Sequence, residues 1–311
     1  MLLSIVVPVY NEAENVKLLV KKLRESLNNI NYEIIFVDDG SNDNTIQEIL
    51  SIQALNISVV AFTRNFGQTS ALAAGIDHAK GEYIATLDGD LQNDPSDILI
   101  MLDHLKQNKL DIVAGRRLNR QDNYLRNIPS KIANYLIRKL TKVEIKDYGC
   151  TLKVFKASVA KVLDLYGELH RFIPILAELQ GAKIGEVPVK HHPRIYGASK
   201  YGLNRTIKVI SDLLLMYFFQ KYKQKPMHLF GNLGIIMFII GSIIELYLLC
   251  MKLIGENIGT RPLFYVGILF LIAAVQFVTT GFLAELMMRT YYSASDKKPY
   301  SIAHIYKNNH E

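Results

Sequence analysis

Residues 83–92 read Tyr-Ile-Ala-Thr-Leu-Asp-Gly-Asp-Leu-Gln, an apolar run that ends in two carboxylates one residue apart. A short apolar run of this kind is typical of a buried β-strand. Asp88 and Asp90 then fall where that strand would reach the surface. Carboxylates placed there suit a hard divalent cation, which takes oxygen ligands and often shares phosphate oxygens. A solvated turn is the alternative for the motif alone, since Asp and Gly are common turn residues.

Apolar runs alternate with helical segments through the first 115 residues. Strands are predicted at 3–9, 33–37, 58–62, 83–87 and 111–115, and helices at 11–27, 41–49, 69–80 and 95–107. This alternation predicts an α/β domain with a mostly parallel, Rossmann-like sheet and helices on both faces. Ligands of such sheets bind beyond the carboxyl ends of the strands.

Four polar clusters fall at these predicted strand ends. They are residues 8–12, the pair Asp38 and Asp39, Arg64, and residues 88–92. Because the carboxyl ends of parallel strands meet at one edge of a sheet, the four clusters are expected to converge. Convergence favours a metal-diphosphate site over four unrelated turns.

The composition of the 311-residue chain changes along its length, although hydrophobic residues make up 50% of the whole. Almost all long apolar stretches lie after residue 210. Residues 229–251 carry one charge, Glu245, and residues 263–284 carry none. Each stretch has about the 20 residues that a helix needs to cross a bilayer. A pair of buried core helices is disfavoured, because no amphipathic helices remain to cover them. Glu245 is expected to face another helix, with Gln276 as its candidate partner.

Basic residues predict how these spans are oriented. Three lysines precede the first span and three basic residues follow the second, whereas the connector holds only Lys252 and Arg261. The positive-inside rule then places both termini in the cytosol, as expected for a multi-pass protein of the inner (plasma) membrane.

Two cysteines cannot form a disulfide framework, which suits a reducing compartment. The net charge of +7 suits nucleic acid, a membrane surface or anionic substrates. Of these partners, a membrane and anionic substrates are expected, and nucleic acid is not.

The predicted organisation has four parts. Residues 1–200 form the cytosolic catalytic domain, 201–226 an amphipathic juxtamembrane helix region, 227–290 the transmembrane hairpin, and 291–311 a cytosolic tail. An apolar face with basic ends in the second part is typical of a helix that lies in the headgroup layer.

The chain resembles the family 2 glycosyltransferases of the nucleotide-sugar (GT-A) fold. Within them it is similar to the polyprenyl-phosphate glycosyltransferases related to dolichol-phosphate mannose synthase and bacterial GtrB proteins. The matching motifs are Val-Val-Pro-Val-Tyr-Asn-Glu at 6–12, Val-Asp-Asp-Gly-Ser-Asn-Asp at 37–43, Arg-Asn-Phe-Gly at 64–67, Leu-Asp-Gly-Asp-Leu-Gln at 87–92, Gly-Arg-Arg at 115–117, Asp-Tyr-Gly-Cys at 147–150, and the Arg-x-x-Gly-x-Ser-Lys loop at 194–200. The resemblance runs from residue 3 to about residue 205, and the two spans match the GtrB-like arrangement.

The resemblance implies a donor site for a nucleotide-diphosphate sugar, either UDP- or GDP-linked. Its base and ribose pocket would be lined by Pro8, Tyr10, Glu12 and Asp39, with Asp38 as a further substrate-binding candidate. Asp88 would contact the ribose or the metal. Asp90 and Gln92 would hold Mg2+ or Mn2+ against the diphosphate.

The resemblance also implies a site for a second phosphate. Arg116 and Arg117 follow a strand directly, and arginine forks match phosphate oxygens. Solvated surface arginines are the alternative. Arg126 lies in the expected acceptor loop, residues 118–129, while Arg194 and Lys200 would clamp the diphosphate or a lipid phosphate as their loop closes.

The implied reaction is an inverting transfer of the sugar to a polyprenyl (undecaprenyl or dolichyl) phosphate at the cytosolic membrane face. Asp147, Asp90 and Arg117 are the catalytic candidates. Asp147 lies where the family carries a base. A phosphate monoester is largely dianionic at neutral pH and needs no base, so Asp147 can instead orient an arginine or the sugar.

Two alternatives remain for the function. One is a glycan-polymerising membrane glycosyltransferase with a sugar hydroxyl acceptor, which the two spans and the absence of tryptophan disfavour. The other is a non-catalytic membrane protein that binds nucleotide sugars, which the intact acidic motifs disfavour. The resemblance further implies a homo-oligomer, with a tetramer as in GtrB-like proteins. The motifs leave the sugar open.

Overall fold

The computed structural model describes residues 2–52, 54, 56–118, 145–163, 165, 169–195, 218, 226–259, 261–294 and 302–307. The chain divides into two compact units: residues 1–213 with 298–311, and residues 214–297. Arg126 and Lys200 lie outside the described residues. So do nearly all of the predicted acceptor loop and juxtamembrane helix.

The first unit is built on an eight-stranded sheet with the order β7-β5-β6-β4-β1-β2-β3-β8. Its strands are β1 (Leu2–Val9), β2 (Asn31–Asp38), β3 (Ile57–Phe62), β4 (Tyr83–Thr86), β5 (Ile112–Arg117), β6 (Lys153–Lys156), β7 (Ile184–Val189) and β8 (Ile302–Lys307). β1 pairs in parallel with β2 and with β4, and β2 pairs in parallel with β3. β5 pairs in parallel with β7. The predicted mostly parallel sheet is therefore confirmed.

Helices cover both faces of this sheet, as predicted. They are α1 (Ala13–Ser26), α2 (Thr45–Leu50), α3 (Gln68–His78), α4 (Asp97–Gln107), α5 (Ala157–Ala160) and α6 (Ile173–Leu179), with a 3-10 helix at Leu169–Phe172. Alternate residues of β1 enter two separate cores. Ile5 and Val7 pack in the core that includes α1 and α4, whereas Val6 packs in the core that includes α3 and α6. Residues 3–7 of β1 are all buried because both faces of the strand are covered.

Two helices begin later than predicted, and polar side chains give the reason. α1 begins at Ala13 rather than at residue 11, since Asn11 has a positive φ of 54°. α2 begins at Thr45 rather than at residue 41. The Ser41 hydroxyl accepts the N–H of Asn11, and Asp43 accepts the N–H of Thr45. Side chains that bond nearby backbone groups in this way compete with helix formation.

The sequence did not predict the two antiparallel strands. β6 lies between β4 and β5 and is antiparallel to both. β8 pairs antiparallel with β3 and covers that edge of the sheet. It belongs to the segment 291–311, which we predicted as a cytosolic tail and which contributes a strand to the sheet of the first unit. Covered edges leave fewer unpaired backbone groups for association with other chains.

The described part of the second unit contains two apolar helices, α7 (Pro226–Leu253) and α8 (Pro262–Ala294). Both are long and apolar enough to cross a membrane, with mean hydropathies of 2.4 and 2.2 in Pro226–Leu253 and Pro262–Met287. Only 17% of the most apolar window of each is buried, which argues against core helices of a soluble protein. Glycines bring the helices close together: a Cβ on Gly234 would lie 3.0 Å from the carbonyl oxygen of Ala274.

The expected pairing of Glu245 with Gln276 is not formed. The Glu245 carboxyl instead lies against Gly267 of α8. Gly267 is nine residues before Gln276, which is about 13 Å along a helix. Gln276 is exposed, whereas one carboxyl oxygen of Glu245 is buried between the helices.

Candidate functional site

The carboxyl ends of β1, β2 and β4 lie side by side, because β1 pairs with both of the other strands. Val9 is in register with Asp38, and Val6 is in register with Thr86. The loops that follow these strands therefore meet at one edge, as predicted. Glycine brings them into contact: a Cβ on Gly89 would lie 2.8 Å from a methyl carbon of Val9.

Glu12 is held at this edge by both of its carboxylate oxygens. One accepts the side-chain amide of Asn15 at 2.6 Å, and the other accepts the guanidinium of Arg194 at 2.8 Å. The backbone N–H of Glu12 donates to the Thr45 hydroxyl at 2.9 Å, which ties this loop to the start of α2. Pro8 and Tyr10 are half-buried beside it. The structure thus brings together the first three candidates for the nucleoside pocket.

Asp39 connects the end of β2 to the loop before α3. Its carboxylate accepts the backbone N–H groups of Phe66 at 2.7 Å and of Gly67 at 3.0 Å. Burial raises the pKa of Asp39, and these two hydrogen bonds oppose the rise. The sequence did not predict this use of the carboxylate. Gly40 follows with a φ of 75°, and a Cβ there would lie 2.5 Å from the Arg64 backbone, so the turn requires glycine.

Asp38 presents a different environment next to Asp39. One oxygen accepts the N–H of Ser41 at 3.0 Å. The other oxygen is buried and has no hydrogen-bond partner among the described residues. Burial raises the pKa of Asp38. A buried carboxylate oxygen without a donor is costly, so this oxygen is well suited to accept a ligand hydroxyl or N–H.

Asp88 and Asp90 lie close enough for their charges to interact. Asp88 accepts the side-chain amide of Gln68 at 2.8 Å, a contact that the sequence did not predict. Burial and the neighbouring charge of Asp90 raise the pKa of Asp88 to about 7. Asp90 accepts the backbone N–H of Gln92 at 3.2 Å, and the Arg194 guanidinium lies 3.5 Å from its other oxygen. These two carboxylates form an acidic edge at the end of β4.

A hard divalent cation fits this set of donors. In the part of the chain that the structure describes, no three His, Cys, Asp or Glu side chains gather as a ligand set. Asp88, Asp90 and the amide of Gln92 would hold the ion only in part, and diphosphate or water oxygens would complete its shell. The adjacent carboxylates of Asp88 and Asp90, with the Arg194 guanidinium 3.5 Å from Asp90, indicate that this edge favours positive charge.

Arg117, the last residue of β5, forms a bidentate ion pair with Asp147. The Nε and Nη2 atoms of Arg117 donate to the two carboxylate oxygens at 2.7 and 2.8 Å. The backbone N–H groups of Arg117 and Gly149 donate to the same oxygens at 3.3 and 3.1 Å. A carboxylate offers about four acceptor positions, so these bonds saturate Asp147. This geometry suits a residue that orients Arg117 better than one that takes a proton. Arg116 is half-buried at the same strand end.

A polar brace joins the loop after Gln92 to the segment that carries Arg194. It consists of Asp94 and Asp97 on one side and Lys190 and His192 on the other. Asp97 accepts the N–H of Lys190 at 2.7 Å, and His192 Nε2 lies 3.1 Å from a carboxylate oxygen of Asp94. The carbonyl of Gln92 also accepts the N–H of His192 at 2.8 Å. Acidic residues directly after the Asp-Gly-Asp motif were the sequence signal for this brace.

Comparison with known proteins identifies the family. Residues 4–163 match the model described as Glycosyl transferase family 2. The chain is 46% identical to dodecaprenyl-phosphate galacturonate synthase of Rhizobium johnstonii, covering 98% of this chain and 93% of that protein. It is 33% identical to undecaprenyl-phosphate 4-deoxy-4-formamido-L-arabinose transferase of Edwardsiella ictaluri, covering 98% and 94%.

Solved structures agree on the fold. Glucosyl-3-phosphoglycerate synthase from Mycobacterium tuberculosis superposes with a TM-score of 0.55 at 16% identity, covering 69% of this chain and 78% of that one. Together, the sheet with its acidic edge and the relatives define a glycosyltransferase. The chain belongs to glycosyl transferase family 2, and its resemblance to polyprenyl-phosphate glycosyltransferases is confirmed.

Proposed function

We propose that the protein transfers a glycosyl group from a nucleotide-diphosphate sugar to a polyprenyl phosphate, giving a polyprenyl-phosphate sugar. The observation that carries this proposal is the 46% identity to a dodecaprenyl-phosphate galacturonate synthase over 98% of the chain, apolar helices included. The acidic edge beside the Arg117–Asp147 pair supports it. These two features supply a place for a donor diphosphate and a place for an acceptor phosphate.

The donor lies along the ends of β1, β2 and β4 in this proposal. The nucleoside contacts Pro8, Tyr10, Glu12 and Asp38, with Asp39 holding the adjoining loop in place. Asp88, Asp90 and Gln92 would hold Mn2+ or Mg2+, which would supply stabilisation of negative charge on the diphosphate leaving group. Arg194, which contacts Glu12 and Asp90 in the structure, would bind the diphosphate. A fold neighbour crystallised with Mn2+ and uridine diphosphate supports this arrangement.

The acceptor phosphate lies at Arg117, whose guanidinium is oriented by Asp147. Arg116 is a second ligand, and Arg126 and Lys200, which lie outside the described residues, are further candidates from the sequence. A phosphate oxygen attacks the anomeric carbon, the bond to the diphosphate oxygen breaks, and its electron pair leaves with the diphosphate. The configuration at the carbon is inverted. Because a phosphate monoester is already dianionic near pH 7, no residue has to remove a proton. The protein's contribution is to hold two anions together at short range.

Two features disfavour a sugar hydroxyl as the acceptor. A hydroxyl requires a base, and Asp147 has all four acceptor positions occupied. The relatives that span nearly the whole chain are, by name, polyprenyl-phosphate enzymes.

A membrane location follows from the same proposal. The two apolar helices form a transmembrane hairpin whose two ends lie in the cytosol, because basic residues flank it on those sides. The catalytic unit then faces the polyprenyl phosphate at the cytosolic surface of the inner (plasma) membrane. The protein acts as a homo-oligomer, with a tetramer as the assembly to test.

The sugar proposed for the donor is galacturonic acid. Identity is 46% to the galacturonate enzyme, against 33% to 35% for the formamido-arabinose enzymes over similar lengths. The runner-up donor is therefore a nucleotide-linked 4-deoxy-4-formamido-arabinose.

A donor panel tests the sugar. Membranes that contain the protein are supplied with undecaprenyl phosphate, Mn2+ and one of several radiolabelled nucleotide sugars. We expect organic-extractable label from the galacturonic acid donor at a rate at least about tenfold above the glucose or mannose donors. Membranes with the Asp90→Asn variant serve as the control. Equal labelling from neutral hexose donors would contradict the assignment of the sugar, and label confined to polymer would contradict the acceptor.

A further inference from the structure

Lys153 is a charged residue inside the sheet, and no step proposed above uses it. It begins β6 and is only 2% exposed, between Leu152 and Val154, which are fully buried. Its backbone is in register with Thr86 of β4 and with Ala114 of β5. β4 leads to Asp88, and β5 leads to Arg117. Lys153 therefore lies between the two strands that carry the donor carboxylates and the acceptor arginine.

The ammonium of Lys153 holds the segment that links these two features. It donates to the carbonyl oxygen of Cys150. That carbonyl ends the short turn that begins at Asp147, the partner of Arg117. The next residue, Thr151, hydrogen-bonds the Asp88 carboxylate through its side chain, and its carbonyl accepts the Thr86 hydroxyl at 2.6 Å. The five-residue segment 147–151 thus contacts Arg117 on the acceptor side and Asp88 on the donor side.

Attraction between the Lys153 ammonium and nearby carboxylates does not by itself explain why a lysine occupies this position. Burial lowers the pKa of Lys153, and the carboxylates of Asp88 and Asp147 oppose that change. Burying an ammonium group is costly unless it is paired, and its hydrogen-bond acceptor here is a neutral carbonyl. Methionine, which is similar in length and apolar, would avoid that cost. The lysine is better explained by the segment that it anchors.

We propose that Lys153 is a positioning residue: by anchoring the segment 147–151, it fixes the separation between Asp88 on the donor side and Arg117 on the acceptor side. The inference rests on the proposed role of Arg117 at the acceptor phosphate. Lys153 touches neither substrate. Its removal should leave both binding sites intact but displace one relative to the other, and a displacement of about 1 Å can lower a rate about 100-fold.

The test compares Lys153→Met with Lys153→Arg in the full-length protein. Sugar transfer from the labelled donor to undecaprenyl phosphate gives kcat and both KM values. Calorimetry gives the affinity for uridine diphosphate with Mn2+, and thermal unfolding reports stability. We expect kcat of the methionine variant to fall about 10- to 100-fold. Both KM values and the nucleotide affinity should stay within about threefold, a difference under 1 kcal/mol. The arginine variant, which keeps a cationic donor, should retain at least about a third of the wild-type kcat.

Three results would overturn the inference. One is a methionine variant with unchanged kcat. Another is a parallel loss of kcat, nucleotide affinity and melting temperature in both variants, which indicates a purely structural residue. The third is an arginine variant as slow as the methionine variant. Arg117→Ala separates this inference from the proposed function: if it leaves the KM for undecaprenyl phosphate unchanged, the acceptor assignment itself fails, whatever Lys153 does.

Discussion

Replacing Asp90 with asparagine is expected to lower kcat/KM for sugar transfer by at least about 1,000-fold. Asparagine keeps the size of the side chain and can still accept the N–H of Gln92, so the loop should fold normally. What is lost is one of the two negative charges at the acidic edge formed by Asp88 and Asp90. Activity is measured as label transferred to lipid phosphate over a range of Mn2+ and Mg2+ concentrations.

A matched control for this variant is Asp103→Asn. Asp103 is an exposed carboxylate on α4, the helix that follows the loop carrying Asp88 and Asp90. It should leave activity within about twofold, because isolated surface charges contribute little. Chelation of divalent ions should abolish transfer by the wild-type protein. Near-normal transfer by Asp90→Asn, or full activity in the presence of a chelator, would contradict the metal-diphosphate site.

Replacing Asp147 with asparagine is expected to raise the KM for the lipid phosphate about 10- to 100-fold and to leave the donor KM within about threefold. Asparagine cannot accept hydrogen bonds from both Nε and Nη2 of Arg117, because its NH2 group would face one of these donors. The arginine would then lose the orientation that suits the acceptor phosphate. Initial rates over a titration of undecaprenyl phosphate at saturating donor give both effects.

The rival role for Asp147 makes a different prediction in the same assay. A general base would leave the KM for the acceptor unchanged, while kcat would fall and lose its pH dependence. Asp111→Asn is the control, since Asp111 pairs with Lys156 at the opposite end of β5, at 2.7 Å and partly exposed. It should behave like the wild-type protein. A base-like result for Asp147→Asn would contradict both its orienting role and the phosphate acceptor.

The local features of the fold were predictable from the sequence. Apolar runs marked β1 to β5 within a few residues, because a strand buried on both faces has to be apolar throughout. The order of strands and helices then brought residues 8–12, Asp38, Asp39 and Asp88 to one edge. The structure places them there.

Contacts between distant residues were not predictable in the same way. Glu12 meets Arg194 across 182 residues, and Arg117 meets Asp147 across 30. β8 pairs with β3 although Ile302, where β8 begins, lies 240 residues after Phe62, where β3 ends. Periodicity reports which face of an element is buried, but it does not report which element covers that face. Lys153 did leave a local signal, since a lysine inside an apolar strand has to have a partner.

Mass spectrometry of the reaction product is the most direct test of the central claim. Purified protein is incubated with a nucleotide-linked galacturonic acid, Mn2+ and a polyprenyl monophosphate of defined length. We expect one new lipid whose mass is that of the lipid phosphate plus a single glycosyl residue, with one nucleoside diphosphate released per product. A lipid diphosphate, a polymer, or free sugar without a glycosylated lipid would contradict it.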